Sequence, residues 1–167
     1  MDRNLILIGM PGSGKSTVGV VLAKMLGMNF VDVDLLIQQR EGRLLQAILD
    51  ERGVDDFLEL EADVVCALDC TNSVIAPGGS AVLLPRAAEH LKTLGDLIYL
   101  DLPCDALEAR LANLKERGVA MSGGQTIADV YAYRTPIYRA CADLVVEAGG
   151  KTLEEVCAAV LQSLIQR

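Results

Sequence analysis

Short runs dense in Leu, Ile and Val recur along the chain at 4–8, 30–33, 73–76, 97–101 and 144–146. Their near-continuous apolar character predicts strands of a parallel sheet covered on both faces, because a strand with one wet face would alternate. Between them, apolar residues return at helical spacing over 15–26, 56–68, 86–94, 106–116 and 127–139, and a last helical segment, 153–165, closes the chain. Strands alternating with helices predict an α/β, doubly wound plan. Two helix starts carry their own signal: Thr152-Leu153-Glu154-Glu155 and Asp105-Ala106-Leu107-Glu108 both match a capping box. Residues 118–125 are glycine-rich and without period, which predicts a mobile loop.

Composition narrows what such a domain does. A length of 167 residues suits a single domain, 1–167, with one sizeable core. Fifteen Lys plus Arg against 23 Asp plus Glu give a net charge of −8, which argues against a basic nucleic-acid surface. No apolar run approaches the roughly 18 to 20 residues that span a bilayer, and residues 1–4 lead straight into a strand without a signal-peptide pattern. The expectation is a cytoplasmic protein, monomeric, with neither nucleic acid nor membrane as partner. Five cysteines lack a Cys-x-x-Cys pair, and His90 is the single histidine, so reduced and mostly buried thiols are expected rather than a zinc site. Cys66 and Cys70, four apart, are expected to share a helix face.

The first strand passes into Gly-Met-Pro-Gly-Ser-Gly-Lys-Ser-Thr at 9–17, where Gly9, Gly14, Lys15 and Ser16 satisfy G-x-x-x-x-G-K-[ST] between a strand and a helix. Gly12 and Gly14 let the backbone turn successive N–H groups toward phosphate oxygens, at the positive end of the following helix. Lys15 brings a point charge to the β- and γ-phosphates, and the Ser16 hydroxyl is placed for Mg²⁺. ATP with Mg²⁺ is therefore the expected cofactor pair, bound by Gly12, Ser13, Gly14, Lys15, Ser16 and Thr17.

A second site separates the P-loop classes. No N-K-x-D stretch suggests a guanine reader, whereas Phe30-Val31-Asp32-Val33-Asp34 ends the second strand with two acids. Residues two apart on a strand share a face, so Asp32 and Asp34 are predicted to project together beside the P-loop. One carboxylate then serves Mg²⁺ and the other accepts a proton from an attacking hydroxyl; an alternative is an acidic strand end that caps the next helix. Arg117 opens the glycine-rich loop, and Arg110, two helical turns earlier, is placed to flank the nucleotide base.

The pattern resembles the shikimate kinase family, small P-loop enzymes that phosphorylate shikimate with ATP and Mg²⁺. The P-loop, Asp32-x-Asp34, Phe57-x-x-x-Glu61, the glycine turn at 77–80, Arg110 with Arg117, and Arg134-Thr135-Pro136-Ile137-Tyr138 follow the family's order. The resemblance implies a three-layer P-loop kinase fold with a five-stranded parallel sheet of order 2-3-1-4-5, a lid near 112–125 and an acceptor-binding region near 33–61. It also implies roles: Lys15 on the phosphates, Ser16 and Asp32 on Mg²⁺, and Asp34 at the hydroxyl that is phosphorylated. Arg117 becomes the lid arginine, Arg134 the carboxylate binder, and Gly78 and Gly79 donors of backbone N–H groups.

The chain departs from that pattern. Leu58 stands where the family has an arginine on the substrate carboxylate, Ser80 replaces a third glycine, and Arg117-Gly118-Val119-Ala120 stands for Arg-Pro-Leu-Leu. Losing one cation of such a clamp costs about 2–5 kcal/mol unless another compensates; Arg43, Arg52 and Arg139 are candidates in sequence. Leu58 is expected to face the acceptor pocket, and Glu59 and Glu61 to disfavour an anion or help bind an ammonium group. Shikimate is the leading acceptor, homoserine or gluconate the alternative, and a non-catalytic nucleotide-binding regulatory domain the third reading. Asp34 and Arg117 argue against the third, since a mere binding module needs neither.

Overall fold

The computed structural model describes residues 3–112 and 119–166. The apolar runs form five strands: β1 (Asn4–Ile8), β2 (Asn29–Asp32), β3 (Ser73–Ala76), β4 (Gly95–Asp101) and β5 (Leu144–Glu147). They pair in parallel in the order β2-β3-β1-β4-β5, as the family resemblance implies. β1 and β3 are buried along their whole length, which is why their sequences do not alternate. Asn4 stitches the lower edge of the sheet: its Nδ2 donates to the carbonyls of Cys70 and Leu94, and its Oδ1 accepts from the Ser73 amide. A buried amide with every group engaged holds three neighbouring strands in register.

Among the described residues seven helices flank the sheet: α1 (Lys15–Leu26), α2 (Val33–Glu41), α3 (Leu45–Cys66), α4 (Pro85–Leu94), α5 (Cys104–Ala112), α6 (Ile127–Cys141) and α7 (Leu153–Ile165). α1 packs on β2, β3 and α7, while α3 packs on α2 and α4. Two of these elements differ from expectation. α2 does not appear in the apolar pattern because it buries only Val33 and Ile37, too narrow a stripe to give a period. α3 begins at Leu45, eleven residues before the expected 56, and ends at Cys66; Gly53, at φ 77° and ψ 173°, breaks it and divides its apolar stripe.

Caps decide the helix starts. At α7 the predicted box forms, with Glu155 donating its amide to Thr152 Oγ1 at 3.2 Å and Thr152 donating its amide to Glu155 Oε2 at 2.8 Å. Thr152→Ala is expected to lower unfolding stability by about 1 kcal/mol, seen as a lower urea midpoint at unchanged slope. The second predicted box does not form: α5 starts at Cys104, and Asp105 Oδ1 accepts from the next amide, Ala106 N. A box that was not anticipated starts α6, where Asp129 rather than Glu answers Thr126. The expected end of α5 at 116 lies outside the described residues.

Among the described residues no helix is long and apolar enough to cross a membrane. The five cysteines are free thiols, and only Cys157 is buried. Cys66 is the last residue of α3 and Cys70 lies beyond it, so the two do not share a helix face. His90 in α4 donates from Nε2 to the Leu68 carbonyl at 2.9 Å, tying α4 to the segment after α3.

Candidate active site

The carboxyl ends of β1, β2 and β3 open on one edge of the sheet, where open α/β folds place their ligands. After β1 the chain takes left-handed conformations at Gly12, φ 79°, and Gly14, φ 95°, which side chains beyond glycine resist. No side chain caps α1, so its first amides are left to an anion. Lys15 is only 8 % exposed, and its Nζ donates to the carbonyls of Gly9 and Met10, both at 2.9 Å, which folds the charge back over the loop. Arg110 Nη1 donates to the Gly12 carbonyl at 3.2 Å, placing that arginine against the outer side of the same loop. Ser13 Oγ is buried without a hydrogen-bond partner, and Thr17 lies on the cavity wall. Arg117 lies outside the described residues, as does Gly118.

Asp32 and Asp34 meet at this edge by a different geometry from the one expected. β2 ends at Asp32, and Asp34 is already in the first turn of α2. Asp32 divides its oxygens, Oδ2 accepting from Ser16 Oγ at 2.7 Å and Oδ1 accepting from the Leu35 amide at 3.3 Å as the N-cap of α2. The capping role therefore falls to Asp32. Asp34 nevertheless reaches the same cavity, because the helix start turns it across the mouth of the loop.

That cavity has a volume of about 250 Å³, and Lys15, Ser16, Asp32, Asp34, Gly78 and Arg134 stand on its wall. A larger space of about 820 Å³ opens between α3, the end of α5 and residues 119–127, but among the described residues its charged groups are Asp50 and Glu108, and none of them is a phosphate-binding group. The smaller cavity is the candidate site on chemical grounds. Gly79 closes it onto the P-loop, since a Cβ there would stand 2.7 Å from Pro11 Cδ. From α6, the Tyr138 hydroxyl donates to the Gly79 carbonyl, and its ring stacks on Tyr99 at 5.3 Å between centroids. Burial pushes the Tyr138 hydroxyl up to about 12, so it remains a donor.

Arg134, also from α6, is 4 % exposed. Its Nη2 donates to the Ala120 carbonyl, and its Nη1 is buried with no partner. Among the described residues it is the one arginine on this wall. The three arginines offered by sequence as compensating cations are engaged elsewhere: Arg43 with Glu51, Arg52 with Glu41 and Arg139 with Asp101. Leu58 is half-buried and packs against the hydrophobic core, not on the cavity wall. Glu59 pairs on the surface with Arg86 at 2.7 Å and likewise does not line the cavity.

Glu61 does line it, at 1 % exposure. Ser80 Oγ donates to its Oε2. Burial pushes the Glu61 carboxyl up to about 7; Asp34 adds to the rise, while Ser80, Arg134 and Lys15 oppose it. The sequence offers Glu61 only as an acid that disfavours an anion or helps bind an ammonium group, and Tyr138 only as a member of the 134–138 motif without a role of its own. The available signal for Glu61 was a charge on a buried stripe, since Phe57, Leu60 and Glu61 fall at helical spacing and all three are buried.

A shikimate kinase family profile matches residues 11–165. A shikimate kinase from Xanthomonas euvesicatoria is 37% identical over 147 residues, 86% of this chain and 82% of the relative. Among solved structures, a shikimate kinase from Acinetobacter baumannii in complex with shikimate superposes with a TM-score of 0.91 at 29% identity, over 99% of this chain and 94% of that one. The shikimate kinase from Aquifex aeolicus gives a TM-score of 0.81 at 33% identity, over 97% and 96%.

Proposed function

The chain belongs to the shikimate kinase family, and from that premise we propose that it transfers the γ-phosphoryl group of ATP to a hydroxyl of shikimate, giving shikimate 3-phosphate. The observation that carries the reading is the single 250 Å³ cavity, which sets phosphate-binding groups and an acceptor-binding wall face to face. Gly12, Ser13, Gly14, Lys15, Ser16 and Thr17 hold the ATP phosphates, and Arg110 flanks the nucleotide. Asp34 accepts the proton of the attacking hydroxyl, at a position facing the γ-phosphate side. The unpaired Arg134 Nη1 supplies a charge-assisted hydrogen bond to the acceptor carboxylate. Gly78 and Gly79 allow the chain after β3 to approach the acceptor, and Arg117 serves as the lid arginine.

The Ser16 hydroxyl and the Asp32 carboxylate, hard oxygen donors 2.7 Å apart at the loop, fit Mg²⁺. When bound, that ion neutralises charge across the β- and γ-phosphate oxygens.

An ADP-release screen over shikimate, homoserine and gluconate with Mg-ATP tests the reading. Saturation by shikimate at micromolar to low millimolar levels supports it. Turnover with homoserine alone would overturn it, and no turnover with any acceptor would favour a regulatory domain. With Glu59 held by Arg86, the case for an ammonium-bearing acceptor has lost one of its two acids.

Leu58 gives a second test. It lies between Phe57 and Glu61, both on the wall, and a guanidinium reaches further than an isobutyl group. Leu58→Arg is expected to lower the KM for shikimate about tenfold, which is about 1.4 kcal/mol. An unchanged KM returns the position to packing alone.

A further inference from the structure

Close packing demands a glycine at position 79, and the same choice of residue leaves the backbone there loose. A Cβ on Gly79 would stand 2.7 Å from Pro11 Cδ and 3.0 Å from Pro11 N, so any larger residue would push the acceptor wall off the nucleotide loop. A residue without a Cβ has the widest choice of backbone conformations, so the peptide it carries needs a hold from outside. Tyr138 supplies one: its hydroxyl donates to the Gly79 carbonyl across 59 residues of chain. Gly79 and Ser80 stand on the wall of the 250 Å³ cavity and Tyr138 does not, so the carbonyl is drawn away from the cavity. In a trans peptide the N–H points opposite to the C=O, which turns the Ser80 amide to the side away from Tyr138.

The ring that carries this hydroxyl is itself fixed. It is 1 % exposed and stacks on Tyr99, with the two planes 29° apart. Tyr99 donates in turn to Asp101 Oδ1 at 3.0 Å, while Arg139 pairs with Asp101 and lies over the Tyr99 ring at 5.8 Å. The Tyr138 hydroxyl is therefore placed by β4 and α6, two elements outside the loop that it holds. A bond serving only to fasten α6 to the sheet had other carbonyls to end on, whereas this one ends on the residue that touches Pro11.

We propose that Tyr138 is a positioning residue for phosphoryl transfer: through the Gly79 carbonyl it fixes the spacing between the acceptor wall and the nucleotide loop. The inference rests on the transfer reading above. Tyr138 acts on neither substrate directly. Its effect is to keep the acceptor hydroxyl and the γ-phosphate at reacting distance, where a displacement of about 1 Å costs about a hundredfold in rate.

Tyr138→Phe keeps the ring and its stack and deletes the hydroxyl. Tyr99→Phe is the matched control, because it deletes a tyrosine hydroxyl from the other half of the same stack, one bonded to Asp101 and not to Gly79. Both variants of the intact enzyme are assayed with Mg-ATP and the acceptor found by the screen, with thermal midpoints and ATP affinity in the absence of acceptor measured alongside. Tyr138→Phe is expected to lower kcat about tenfold, the worth of one buried hydrogen bond expressed in the rate, with ATP affinity within about twofold of the wild type. Tyr99→Phe is expected to lower the thermal midpoint by a similar amount and to keep kcat within about twofold. A Tyr138→Phe enzyme that turns over like the wild type overturns the inference. Equal losses of kcat in the two variants also overturn it, since the effect would then be one of stability. So does a Tyr138→Phe chain that fails to fold while Tyr99→Phe folds. In these three cases wild-type turnover leaves the acceptor assignment standing, whereas a wild type inactive with every acceptor overturns the transfer reading and this inference together.

Discussion

Asp34→Asn is expected to lower phosphoryl transfer by about 10²- to 10⁴-fold, the range typical of a lost general base. Asparagine keeps the shape and the hydrogen-bonding reach of the side chain but cannot take up the proton of the attacking hydroxyl. The residue sits in the first turn of α2, and the bonds to the Ser16 hydroxyl and to the Leu35 amide that caps the helix belong to Asp32 instead. ATP affinity is therefore expected to stay within a few-fold of the wild type, and the acceptor KM to change less than kcat. Initial rates of ADP release, with ATP binding measured by calorimetry, separate these effects. A variant that transfers at the wild-type rate would remove Asp34 from the mechanism, and one that loses ATP binding as well would make it a structural residue.

The second large effect belongs to Arg134→Met. Methionine fills much of the volume without leaving an unpaired buried charge, so the loss reads mainly as the missing cation. Truncating one partner of a buried charge pair costs about 2–5 kcal/mol, or roughly 30-fold to several thousand-fold in affinity. That loss should appear in the acceptor KM. The effect is expected near the upper end, because Arg43, Arg52 and Arg139 are held by acids elsewhere and Arg134 alone among the described arginines faces the cavity. The substitution also frees the Ala120 carbonyl, so some loss of kcat accompanies it. An acceptor KM within threefold of the wild type would show that the carboxylate is held by another group.

Particular residues show what could be read from the chain before its fold was known. Strands such as Leu5 to Ile8 were legible because burial on both faces leaves an unbroken apolar run. The loop at 9–17 was legible because phosphate binding by backbone amides demands glycines at fixed steps. Sheet order came from family resemblance, since periodicity does not say which strand lies beside which. The acids at 32 and 34 were placed at the right edge for the wrong geometric reason: the strand stops at Asp32, and a helical turn brings Asp34 round. α2 escaped notice because two buried positions make no period, and the first half of α3 because Gly53 interrupts the stripe. The Glu61–Ser80 pair was illegible for a simpler reason. It joins a helix to a loop 19 residues later, and no local pattern records a contact that only the closed fold creates.

Gly79 has a thermodynamic consequence. It touches Pro11 on one side, and its carbonyl takes the Tyr138 hydroxyl on the other, so the wall beside the acceptor and the cradle of the nucleotide share atoms in contact. A displacement of either is felt by the other, which makes the two substrates partners in one linked equilibrium. Whatever factor bound ATP applies to acceptor affinity, the bound acceptor must apply to ATP, because the cycle of four states closes.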